Sequence, residues 1–112
     1  MPVSRRKLAE VREALRELAR ELPLELRELA ARLEALTGCE VSLRLEGGAD
    51  LGYRSADTAL VRYRRALAEL RCRSGAVDVL LEDVVAVENR VAGTKYVVAL
   101  RSATAVPAGE VP

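Results

Sequence analysis

The chain has 112 residues, half of them hydrophobic and 31% charged, with a formal net charge of +1; this suffices for one hydrophobic core and leaves no room for two. A near-neutral sum gives no overall field for a nucleic acid or an anionic membrane, no apolar run approaches the ~18 residues of a membrane span, and no leader-like segment opens the sequence. His, Trp, Phe, Ile and Gln are absent, which removes the usual imidazole acid-base group and leaves Leu, Val and Ala to build the core. The expectation is a globular protein without a membrane span, cytoplasmic by default.

Ser4 is a fitting N-cap for a first helix in which Leu8, Val11, Leu15, Leu18 and Leu22 recur at spacings of three and four, a coiled-coil-like seam. Interleaved Glu13, Arg16, Glu17 and Arg20 keep its other faces soluble. Pro23 lacks a donor and crowds the preceding turn, so the helix breaks at Leu22 and a second helix opens with Pro23 in its first turn. That helix carries Leu26, Leu29, Leu33 and Leu36 and stops at Gly38, the residue that adopts the left-handed cap most cheaply.

From Cys39 the period changes to two, with Cys39, Val41, Leu43 and Leu45 facing one way and Glu40, Ser42, Arg44 and Glu46 the other, a strand. Gly47-Gly48 reads as a hairpin turn, followed by a short returning strand with Ala49, Leu51 and Tyr53 on its buried face. Ser55 or Asp57 can then cap a third helix, with Ala56, Leu60, Tyr63, Leu67 and Leu70 on one face, until Gly75 ends the segment near Arg73. Residues 76–89 read as strand with a bulge or bend at the polar break Glu82-Asp83. A glycine-containing connection, a strand over 96–100 and a tail marked by Pro107 and Gly109 complete the chain.

The resulting fold class is α+β. An N-terminal helix (1–22) precedes an αββαββ ferredoxin-like domain (23–107), whose four-stranded antiparallel sheet carries its helices on one face, and residues 108–112 form a tail. Cys39 and Cys72 show no metal or redox spacing and read as reduced, structural thiols. In this topology they sit about 20 Å apart, at ~3.3 Å per residue of strand, so a bridge between them would argue against it.

Arg54, Arg62, Arg64, Arg65, Arg71 and Arg73 face only Asp57 and Glu69 along the third helix. Functionally this is an anion-binding face for phosphates or an acidic partner; more plainly it is a solvated surface, which the scarcity of aromatic rings for base stacking favours. With no histidine, an acid or base must come from Asp50, Asp57, Asp78, Glu82, Asp83, Lys95 or a tyrosine, and none forms a recognised motif. Ser55 and Ser74 lack a histidine partner for a serine triad. Residues 92–95 (Ala-Gly-Thr-Lys) echo a phosphate loop but lie between strands, as a turn.

The charged heptad helix, the break at Glu21-Leu22-Pro23, the strand over 40–46, the helix over 57–70 and the valine strand to Asn89 together resemble the ferredoxin-like domains of bacterial type IV pilus alignment and type II secretion platform proteins. That resemblance implies a non-enzymatic protein that dimerises through such domains and their coiled coils. A rival resemblance is to small NTF2-like (SnoaL-like) domains, where Gly52-Tyr53-Arg54 leads into a helix over 59–70 and then Glu82-Asp83-Val84-Val85; it implies an apolar ligand pocket, of roughly 300 Å³ or more, opening near Tyr53 or Tyr63. The leading expectation is a homo-oligomeric interaction or assembly module, or a subunit of a larger complex, with no catalytic residues, cofactor or metal. Leu8, Val11, Leu15, Leu18 and Leu22 either pack on their own domain or form the oligomer seam. Arg62, Arg64, Arg65, Arg71 and Arg73 are the candidate contacts to a nucleic acid or acidic partner.

Overall fold

A computed structural model describes residues 3–53 and 55–111. Its first helix, α1, spans Arg5–Glu21 and is capped by the Ser4 hydroxyl, which accepts from the Lys7 amide at 3.1 Å. The helix ends ahead of Pro23, with Leu22 already extended. The short strand β1 (Leu24–Glu25) intervenes before α2 (Leu26–Thr37), so Pro23 lies outside the second helix. Glu25 and Glu28 close a capping box at the start of α2, and Gly38 at φ 70° ends it by donating to the Glu34 carbonyl.

Five further strands follow: β2 (Glu40–Tyr53), β3 (Thr58–Cys72), β4 (Gly75–Asn89), β5 (Thr94–Ala99) and β6 (Ser102–Pro107). All pairings are antiparallel, in the order β1-β5-β4-β3-β2. β5 and β6 share one side of β4, β5 along Val85 to Asn89 and β6 along Val77 to Glu82. Beyond β6, the amides of Ala108 and Gly109 are held by Ala76 and Asp78 of β4.

This six-stranded sheet corrects the αββαββ ferredoxin-like arrangement. Two readings fail together. The diglycine makes no hairpin; β2 runs through it and turns back only after Tyr53. The segment read as a third helix is β3, the central strand, paired on both sides along its length. Both family resemblances drew on a helix there, and that helix is a strand.

The cause lies in a bend. Buried positions on β3 run 59, 61, 63 and then 66, 68, 70; on β4 they run 77, 79, 81 and then 84, 86. In each strand one step of three interrupts the step of two, at the same cross-strand row, so the pairing register is the same on both sides of it. Gly47 on β2 (φ 67°) and Asp83 on β4 (φ 51°) mark that row, and asparagine, aspartate and glycine are the residues that tolerate this backbone region best. An extra residue in each of three neighbouring strands keeps the same face turned inward while the sheet bends. The polar break at Glu82-Asp83 is this bend, tied by Arg101, which donates to Asp83 at 2.6 Å and to Glu82 at 3.0 Å.

Cys39 and Cys72 are disulfide-bonded with Cα atoms 4.5 Å apart, which corrects the reading of two distant reduced thiols. With β3 a strand antiparallel to β2, Glu40 pairs with Arg71, and the two cysteines fall side by side at the end of the ladder.

Candidate interaction surface

The inner face of the sheet is occupied by the molecule's own helices. Val11, Leu15 and Leu18 are buried, and Leu8 and Leu22 are half-buried against the same core. This seam packs on Val41, Leu43, Val79 and Leu81, so the coiled coil expected from the heptads is not formed; the spacing that suits a partner helix suits a sheet face equally well. The crevice between helices and sheet holds a free volume of about 10 Å³, room for one water and far below the roughly 300 Å³ of a ligand pocket. The side chain of Tyr53 and all of Arg54 lie outside the described residues.

The outer face is different. Exposed faces of antiparallel sheets are ordinarily polar, yet in register across three strands Leu60 on β3 pairs with Val87 on β4, and Val87 with Tyr96 on β5. Tyr96 is 45% exposed and Val98 beside it 37%, and Leu51 on β2 is 49% exposed. Val85, one pair further along, extends the patch. No helix among the described residues covers it, because α1 and α2 both lie on the inner face.

With β3 a strand, the arginines are spread along its length. Arg62 and Arg64 are exposed on the outer face beside the apolar patch, and neither is in an ion pair among the described residues. Arg65 donates to Glu46 at 2.6 Å, Arg71 lies 3.9 Å from Glu40, and Arg73 sits in the β3–β4 turn. Arg62, Arg64, Arg65 and Arg71 thus all lie on the outer face of β3, two of them beside glutamates of β2, and Arg73 lies in the turn beyond it. Glu46 accepts from both Arg65 and Arg44, and the Arg65 bond chiefly holds its carboxyl below the usual range.

One polar cluster faces inward. The Tyr63 hydroxyl donates to Glu88, accepts from Lys95 Nζ at 3.2 Å, and Lys95 also stands 5.4 Å from the Tyr63 ring centroid. Gly48 makes room for this ring, since a Cβ there would lie 2.8 Å from it. Burial, then the Glu88 carboxylate, raises the Tyr63 pKa above its ordinary value, and the bond to Tyr63 raises that of Lys95. The three groups satisfy one another, which suits a strut at the end of the inner layer better than a reactive centre. Because the fold favours the protonated form of both Tyr63 and Lys95, their contribution is complete below pH ~10 and is lost as pH rises through the folded-state values. Stability measured against pH is expected to fall in that alkaline window, and Tyr63→Phe is expected to flatten the fall; an unchanged profile would show that the cluster is not coupled to folding.

Sequence reasoning singled out Lys95 and Tyr63 separately and missed Glu88; only the β3–β4–β5 register brings them together. Among the described residues no group of three His, Cys, Asp or Glu side chains could hold a metal ion, and no helix is long and apolar enough to cross a membrane. No family model, curated protein or solved structure matches the chain.

Proposed function

We propose that the protein is a non-enzymatic interaction module that assembles with a second copy of itself through the outer face of its sheet. The observation that carries this reading is an apolar patch on a face with no described helix over it, in which Tyr96 and Val98 are exposed and Leu60, Val85 and Val87 are half-buried among their sheet neighbours. Contiguous exposed apolar surface of this kind marks an interaction site, and a two-fold axis through the patch sets it against its own copy, as sheets pack face to face in a sandwich. Exposed Tyr and Arg, here Tyr96, Arg62 and Arg64, are the side chains most enriched in such contacts.

Leu60→Lys and Tyr96→Lys are each expected to weaken assembly by about tenfold or more, read by light scattering, with little loss in melting temperature because neither side chain belongs to the inner core. Variants that assemble like the parent would contradict the reading.

The disulfide supports a place of action in which thiols stay oxidised, in place of a default cytoplasm; the scarcity of side-chain amides suits the one broad intracellular exception, the disulfide-rich proteins of hyperthermophiles.

A further inference from the structure

Among the described residues the sheet has one long open edge, β2. At the other side of the sheet, β1 covers part of β5, and Arg12 of α1 donates to the Ala105 carbonyl of β6 at 3.1 Å. β2 has β3 on one flank and no strand among the described residues on the other. Open edges template the addition of another strand unless they are interrupted or covered.

The polarity of this edge can be read from one hydrogen bond. The Val41 amide donates to Glu34 Oε1 at 3.1 Å, away from β3. In an antiparallel ladder the residues whose groups point away from the partner alternate with those that bond to it. Val41, Leu43 and Leu45 therefore turn their N–H and C=O groups outward, and Glu34 occupies only the first of these. Beyond Glu46 the edge loses its regularity at Gly47, at φ 67°, and at the register shift between Asp50 and Gly52. What remains is a short, regular edge from Glu40 to Glu46.

We propose that this edge pairs with the same edge of a second copy, about a two-fold axis at Ser42. In that register Val41 meets the partner's Leu43, the exposed Glu34 carboxylate gives way to the partner's Leu43 carbonyl, and Glu40 lies opposite the partner's Arg44 twice. The charges select this register. Centring the axis on Leu43 sets Glu40 against the partner's Glu46, and centring it on Arg44 sets the two arginines together. Both Glu40 (81% exposed) and Arg44 (64% exposed) are free to make the contact, holding only weak local pairs. The apolar side chains of Val41 and Leu43, half-buried in one copy, would continue into those of the next, joining two sheets into one. This contact is separate from the apolar patch of the outer face and would extend a face-to-face pair into a larger closed or open assembly.

The test uses the full chain carrying Leu60→Lys together with Tyr96→Lys, so that the apolar patch contributes equally little to every variant compared. Glu40→Arg and Arg44→Glu are each expected to weaken self-association by about tenfold, and the double variant E40R/R44E to restore it, measured by sedimentation. Ser42→Cys, with substituted positions about 4.5 Å apart at Cα in a pair of this kind, is expected to cross-link two copies under mild oxidation, with the bond mapped between the substituted positions. Single variants without effect, a double variant no better than the singles, or no cross-link would each overturn the proposal; the apolar patch, beyond the bend from Glu40 and Arg44, is the same in all of them.

Discussion

Replacing Cys39 and Cys72 together by alanine is expected to lower stability by about 3–4 kcal/mol, because the bond closes a loop with a sequence separation of 33 residues and restrains the unfolded chain accordingly. For a domain of this size that corresponds to a fall in melting temperature of about 15–25 °C. The bond joins the end of α2, through Gly38, to the end of β3 beside the β3–β4 turn, so it also ties the helical layer to the sheet at the point where β2 begins. Thermal unfolding followed by circular dichroism, with and without reductant, measures this. A reduced protein that melts with the oxidised one would show that the pairing contributes nothing to the fold.

Leu70→Ala is expected to cost about 2–5 kcal/mol, while Leu67→Ala costs less than about 1 kcal/mol. Leu70 is fully buried on the inner face, paired with Val41 and Val77, whereas Leu67 is only half-buried and pairs with Leu80 and Arg44 on the outer face. On a helix, residues three apart share a face and would be comparably sensitive; on a bent strand they do not. Urea unfolding of the two variants separates the alternatives, and equal costs would contradict the strand.

That contrast also explains what could be read from the sequence. The two helices were legible because their stop signals are local: Ser4 caps by its own side chain, Pro23 cannot sit inside a helix, and Gly38 takes the left-handed conformation. The first half of β2 was legible because seven residues alternate without interruption. β3 was not, since its composition, Ala, Leu, Arg and Glu, is that of a helix, and its single step of three between Tyr63 and Ala66 turns a period of two into spacings of three and four. Gly47 and Gly48 signalled a turn, but one supplies the bend and the other makes room for Tyr63. The disulfide was hidden by the same error: once β3 is a strand, the register alone brings its partners together.

The candidate surface was hidden for a related reason. Heptad leucines attract attention as an oligomer seam, but here they fill the inner layer. The residues left over, Leu60, Val87 and Tyr96, lie far apart in sequence and become neighbours only through pairing of three strands. Arg62 and Arg64, read as part of a basic helix, instead border this patch.

An interior that is filled and an exterior sheet face that no described helix covers are the two observations behind the proposed self-assembly. The mass of the unsubstituted chain in solution, followed by light scattering through a concentration series, bears on this most directly. A dimer or larger assembly that dissociates on dilution is the expected result; a monomer at every concentration, up to the limit of solubility, would contradict it.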